Sequence, residues 1–177
     1  MDLEKLKYPI GQYKAPDTLD MQIWNGWVEE INKFPAEIRK LVEGLSEGEL
    51  AHRYRPEGWN IRQVVHHCSD SHMNALIRIK WVLTEDSPTI KAYDEARWAE
   101  LSDTLALEPE VSLKQLELIH VKIVHLLKTM KEAGWNRVFY HPEVKGPLQI
   151  GKYMGLYAWH GNHHLAHIRQ ALEMKFS

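Results

Sequence analysis

Apolar and polar residues alternate along this chain with the period of a helix. Behind Asn60, a residue suited to capping, Ile61, Val64, Val65, Cys68, Ala75, Leu76, Ile79 and Leu83 recur at helical spacing, so "IRQVVHHCSDSHMNALIRIKWVL" is predicted as one long core helix. An amphipathic stretch also runs from Thr18 to Phe34 after the extended lead-in "YPIGQYKAPDT", with Asp17 as its cap. Pro35 interrupts it and "PAEIRKLVEGL" resumes, which predicts two helical pieces or one kinked helix. A third long segment is predicted from about Leu113, capped by Ser112, to Ala133 before Gly134, and a fourth from about Ile150 to Met174. Ser46 and Glu49 stand at capping-box spacing, "EARWAEL" reads as a short helix, and "RVFYHPEVKGPLQ" reads as a short hairpin near 137–149.

Four long helical segments with hardly any strand signal predict an all-α, four-helix bundle carrying short extra helices and that hairpin. The long connections between residues 84 and 111 argue against a simple up-and-down meander. No internal repeat divides the chain, so residues 1–177 are read as a single domain.

Composition narrows the function classes. Apolar residues make up 44% and charged residues 26%, the balance of an ordinary globular protein, and the formal net charge is −2. Its basic residues form no block, so nucleic acid is not an expected partner. No apolar run approaches the roughly 20 residues of a membrane span, and the start "MDLEKLKYPIG" has no signal-peptide core; a cytoplasmic location is expected. The single cysteine, Cys68, allows no internal disulfide and no cysteine cage for a metal. It projects with the apolar face and reads as a small core residue.

Candidate chemistry concentrates in "WHGNHHLAHI", which holds four of the eleven histidines. On an ideal wheel Ile150, Met154, Tyr157, Gly161, Leu165, Ile168 and Leu172 mark the core face; His164 lies about 50° from its centre, His160 about 90°, His167 about 110° and His163 about 150°. His160 and His164 are therefore the inward pair, and residues four apart on a helix can share a metal. The zinc-protease pattern would place a glutamate after the first histidine, where this chain has Gly161, so this helix supplies no general base. A third ligand must come from elsewhere. Periodicity prefers His72, near the centre of its helix's apolar face, or His120, over His66 and His67, which lie about 130° to either side. Both favoured residues also fit the description of core histidines satisfied by polar neighbours.

"GWNIRQVVHHCSDSHMN" together with "YAWHGNHHLAHI" resembles the DinB/YfiT-like superfamily, most closely its YfiT-like branch of metal-dependent hydrolases and bacillithiol S-transferases, over almost the whole chain. The resemblance implies a four-helix bundle in which His67, His160 and His164 hold one divalent metal ion. Three imidazoles suit zinc or nickel, with iron, cobalt or manganese as alternatives, and leave a coordination position open. His72 and His120 then become candidates for supporting or pocket positions, with Asp70, Tyr157 and Trp159. An open position suits acidification of a thiol, for transfer to an electrophilic toxin or antibiotic, or of a water, for hydrolysis. The resemblance implies the thiol route, with a bacillithiol-like thiol and an electrophilic small molecule as partners, and a homodimer. A non-catalytic bundle with a structural metal is the third reading. Arg62, Arg78 and Arg169 are candidates for holding a carboxylate on the thiol.

Overall fold

The computed structural model describes residues 2–177. Its elements in chain order are α1 (Leu3–Lys7), α2 (Met21–Val42), α3 (Glu47–Leu50), α4 (Ile61–Thr84), α5 (Glu95–Trp98), α6 (Ser102–Ala106), α7 (Pro109–Thr129), α8 (Glu132–Trp135), β1 (Val138–Tyr140), β2 (Pro147–Gln149) and α9 (Ile150–Met174). Helices α2, α4, α7 and α9 form the bundle. Around its axis α4 packs on α7, α7 on α2, α2 on α9 and α9 on α4, so the successive helices α2 and α4 sit across a diagonal. The connection that spans the α2–α4 diagonal carries α3, and the one that spans the α7–α9 diagonal carries α8 and the β1–β2 hairpin, while α5 and α6 lie between the neighbours α4 and α7. Among the described residues no helix is long and apolar enough to cross a membrane.

Local chemistry explains most boundaries. Asn60 and Gln63 close a capping box on α4, and Ser46 and Glu49 close another on α3. The hairpin is antiparallel, pairing Phe139 with Leu148. Four boundaries differ from expectation. Asp20, not Asp17, caps α2, and a short helix α1, capped by Asp2, precedes the lead-in. Helix α7 begins at Pro109, whose fixed φ suits a first turn, so Ser112 lies inside the helix and its hydroxyl meets His66 Nδ1 at 2.7 Å. That helix stops at Thr129, where Met130 turns extended and α8 brings Trp135 into a stack on Trp24, with ring centroids 5.2 Å apart. Pro35 does not divide α2, which stays one helix.

The core falls into two apolar clusters. One gathers around Val28, Ile31, Ile79, Ile123 and Met154, the other around Phe34, Ile38, Val65, Leu116 and Leu165. Between them lies a layer of imidazoles: His72 separates Cys68 from Ala75 on α4, His120 separates Leu116 from Ile123 on α7, and His160 precedes Leu165 on α9.

Close approach of α2 and α9 depends on glycine. A Cβ on Gly161 would stand 2.9 Å from the Phe34 ring, and that ring stacks on His72 at 5.1 Å. Gly26, on an open part of α2, has nothing within 4 Å of the same position. Gly161→Ala is therefore expected to destabilise the protein by about 1 kcal/mol or more, overpacking outweighing the gain in helix propensity. Gly26→Ala should stabilise it by about 0.5–1 kcal/mol. Urea denaturation of both variants checks the opposite signs.

Candidate metal centre

Helices α4 and α9 bring His67, His160 and His164 together, with one ring nitrogen from each within 4.8 Å of the others. His67 Nε2 and His160 Nε2 are 3.2 Å apart. A one-turn separation on α9 sets His160 and His164 edge to face, while His67 reaches across from the edge of the α4 stripe and lies against Trp59, ring centroids 4.6 Å apart. Periodicity had favoured His72 or His120 as the third partner, but neither joins the cluster. His72 is centred in the apolar face and so points at α7 and the bundle axis, where it supports His160.

That support runs through a chain of imidazoles whose donor sense can be worked out. Pro35 has no N–H, so the Ile31 carbonyl one turn earlier lacks its helical partner. His120 Nδ1 donates to that carbonyl at 2.7 Å, which leaves Nε2 of neutral His120 as an acceptor. His72 Nδ1 then donates to it at 2.7 Å, and His160 Nδ1 donates to His72 Nε2 at 3.3 Å. The sequence ends with the bare Nε2 lone pair of His160 turned toward the cluster. A second chain does the same for His164. His167 Nε2 donates to the Lys7 carbonyl at 3.1 Å, so its Nδ1 accepts from His164 Nδ1 at 3.4 Å and leaves His164 Nε2 bare.

Burial keeps these rings neutral. Desolvation lowers His67 and His120 to about 4, and pushes His72, His160 and His164 well below the usual histidine value. Neutral imidazoles with converging lone pairs are the donor set that a borderline divalent cation prefers, so the residues fit a metal ion. The wheel had set His163 and His167 toward solvent. Both are buried, because the N-terminal segment and the loop before α4 cover α9: Tyr8 lies over His163, and Tyr54 of that loop stacks on His167 at 3.8 Å. His167 is a supporting residue that periodicity missed, and its three-residue spacing from His164 was the available signal.

A cavity of about 680 Å³ opens beside the cluster, walled by Tyr8, Trp59, Tyr93, Tyr157 and Trp159, with Arg78 and Tyr153 also lining it. Tyr157 and Trp159, two of the candidate pocket residues, are among its walls. Asp70 does not line the cavity; burial and the charge of Asp103 raise its carboxyl to about 6. Cys68 is fully enclosed, and burial pushes its thiol upward, away from reactivity. Arg62 pairs with Glu47 at 2.6 Å and Arg169 is exposed, which leaves Arg78 as the arginine at the cavity.

A four-helix bundle with three converging histidines at the floor of an aromatic cavity defines a protein with a candidate mononuclear metal centre. The chain belongs to the DinB superfamily, whose model matches residues 30–168. It is 41% identical over 165 residues to the Bacillus subtilis protein named "Putative metal-dependent hydrolase YfiT", covering 93% of each chain. A Bacillus cereus protein named "Putative metal-dependent hydrolase" is 46% identical over 168 residues, 94% of this chain and 95% of that one. The solved structure of B. subtilis YfiT, described as having an unusual four-helix bundle topology, superposes with a TM-score of 0.92 at 40% identity over 98% of this chain and 99% of that one. A mycothiol-dependent maleylpyruvate isomerase shares the fold alone, with a TM-score of 0.64 at 13% identity over 80% of this chain and 59% of the other.

Two outcomes are expected. Replacing His120 by Phe removes the first link from the Ile31 carbonyl; calorimetric titration should show divalent-metal affinity falling about 10- to 100-fold with helical content retained. The second concerns pH. His120 and His163 sit near 4 and His167 near 3 in the fold, against 6.5 for a free histidine. Above 6.5 neither state is protonated and stability is complete; from 6.5 down to about 4 the unfolded chain binds protons that the fold refuses. Chelated protein should therefore lose about 1.4 kcal/mol per pH unit for each such histidine in that window. Urea midpoints at pH 7.5, 6 and 5 check the slope.

Proposed function

We propose that this protein is a metal-dependent enzyme that joins a small thiol, of the bacillithiol type, to an electrophilic small molecule. The observation that carries the reading is the convergence of His67, His160 and His164 at the floor of a ligand-sized cavity. A divalent ion held there would lower the pKa of a thiol or water reaching its open side, supplying a nucleophile at neutral pH. The chain's own residues do the rest. The Ile31–His120–His72 and Lys7–His167 chains hold His160 and His164 in one tautomer each. Trp59 fixes the His67 ring from one side, and Tyr8, Trp159 and Tyr157 wall the cavity.

Support for transfer over hydrolysis comes from where the acids lie. Amide hydrolysis needs a group that passes a proton to the leaving nitrogen, and the cavity's carboxylates, Glu95 and Glu143, are exposed. A thiolate attacking an electrophilic carbon needs no such donor when the leaving group departs as an anion. Pairing of two copies belongs to the same proposal; its support is the apolar outward face of α7, where Leu118 and Val121 are each 69% exposed.

The test loads untagged protein with zinc or nickel and supplies a haloalkyl acceptor with and without bacillithiol. Conjugate is expected only when metal and thiol are both present. About one metal ion per chain should be retained in wild type and in Tyr157→Phe, and lost in His67→Ala, His160→Ala and His164→Ala. Metal-dependent product formed equally well without thiol would overturn transfer in favour of hydrolysis. Failure of wild type to retain any metal would overturn the metal centre itself.

A further inference from the structure

At the other end of the cavity from the three histidines lies a buried guanidinium with no carboxylate partner. Arg78 is only 5% exposed. Its Nη1 donates to the Tyr153 hydroxyl at 2.5 Å and its Nη2 to the Lys91 carbonyl at 3.0 Å, both neutral acceptors. Its Nε has no hydrogen-bond partner among the described residues. No aspartate or glutamate of the described residues lies within ion-pair distance of it. Burying a cation is costly unless a counter-charge or a full set of hydrogen bonds compensates, and neither is complete around Arg78.

The surroundings give the direction of that ligand. Tyr153 passes its hydroxyl proton to the Tyr157 oxygen at 3.3 Å, and Tyr157 donates in turn to the Ser71 carbonyl at 3.1 Å, so both tyrosines are oriented away from the guanidinium as acceptors beyond the one already used. The aromatic rings of Tyr93 and Tyr153 lie about the cation, centroids 5.9 and 6.0 Å from its central carbon. What the guanidinium lacks is an anion on its cavity side. The other charges of the cavity, Lys7, Lys152, Glu95 and Glu143, are half-buried or exposed side chains and cannot play that part from within.

We infer that Arg78 is the anion-binding end of the cavity and receives a carboxylate of the small molecule whose other end reaches the three histidines. The proposal rests on the functional reading above for what sits at the histidine end, and it deepens that reading by setting the ligand's shape. Seven residues of α9 separate Tyr153 from His160, a rise of about 10 Å. The two ends are thus set apart along α9, and the ligand is an acid whose carboxylate and thiol stand at opposite ends of its chain. A guanidinium suits a planar carboxylate because its N–H groups match the two oxygens, which one ammonium cannot do.

The experiment uses Co²⁺-loaded full-length protein and the ω-mercaptoalkanoates from mercaptoacetate to mercaptoundecanoate, each beside the ω-mercaptoalcohol of equal length. Binding is read from the sulfur-to-cobalt absorption band and by calorimetry. Acids long enough to span the cavity should bind at least about tenfold more tightly than their alcohols, with no such preference among the shortest pairs. Arg78→Gln should abolish the preference while leaving the alcohols' affinity unchanged; Arg78→Lys should retain only part of it. Equal affinity of long acids and long alcohols in wild type overturns the proposal, and needs no variant to fold. Alkane dicarboxylates beside matched monocarboxylates form a thiol-free arm, read by calorimetry with cobalt present and absent. If no thiol gives the band, the thiol reading fails, and the dicarboxylate preference and its loss in Arg78→Gln still decide the anion site. If cobalt does not load, the metal reading fails and a surviving Arg78-dependent preference for acids upholds the anion site alone.

Discussion

A buried neutral imidazole offers one donor and one acceptor, and in a core without water each must be met by protein. This requirement organises the centre of the bundle. Five histidines of α4, α7 and α9 occupy the level between two apolar clusters, and a layer of that kind is stable only if its hydrogen bonds terminate on something that is an acceptor alone. A main-chain carbonyl is such a group, but within a helix carbonyls are already engaged. Pro35 resolves the conflict. By lacking an N–H it releases the Ile31 carbonyl from the α2 ladder without ending the helix, and His120 takes it. Every later link, His120 to His72 to His160, inherits its direction from that one missing hydrogen.

The second chain is anchored outside the bundle. His164 leans on His167, and His167 on the carbonyl of Lys7, at the end of the short N-terminal helix. That segment is tied down in turn: Tyr13 donates to the Lys152 carbonyl, Trp159 to the Gly11 carbonyl and Gln170 to the Leu6 carbonyl. Residues 6–13 are thus part of the histidine centre, and together with Tyr54 they bury His163 and His167. Glycine serves the same end from within α9, since Gly161 lets the Phe34 ring press close enough to stack on His72 and cover the chain from the α2 side.

These arrangements differ in how far the sequence reveals them. Helical periodicity located α4 and α9 almost to the residue because their apolar stripes are long, and Asn60 adds a capping box to α4, although α9 begins at Gln149 without a side-chain cap. It also selected His160 and His164, which lie on the border of a stripe facing a neighbour. It failed for His67 in an instructive way. A wheel ranks side chains by distance from one core direction, whereas a cavity between two helices lies at the edge of both stripes, so a residue that looks marginal on the wheel is where a site belongs. The family resemblance supplied His67, which the geometry then placed beside the other two. His163 and His167 were misjudged for the complementary reason: a wheel knows only its own helix, and Lys7 and Tyr8, more than 150 positions away in the chain, cover them together with Tyr54. Ser112 looked like a cap because serine caps helices well, but its hydroxyl meets a buried histidine instead.

The two ends of the cavity impose one electrical character on what enters. The histidine end is held neutral by burial, so it contributes lone pairs and no charge of its own; an ion there would bring two positive charges that the surrounding side chains do not neutralise. The Arg78 end carries a permanent positive charge, likewise without an acid beside it. Between them stand aromatic rings and tyrosine hydroxyls already engaged with one another. With fixed acids confined to exposed positions at Glu95 and Glu143, the field along the cavity favours a ligand that carries negative charge at both extremities. A thiol that ionises at one end and a carboxylate already ionised at the other has that distribution, and an uncharged ester or amide does not. The same physical requirement, that charge and hydrogen-bonding capacity be met where water is excluded, therefore links the proline in α2 to the electrical character of the cavity.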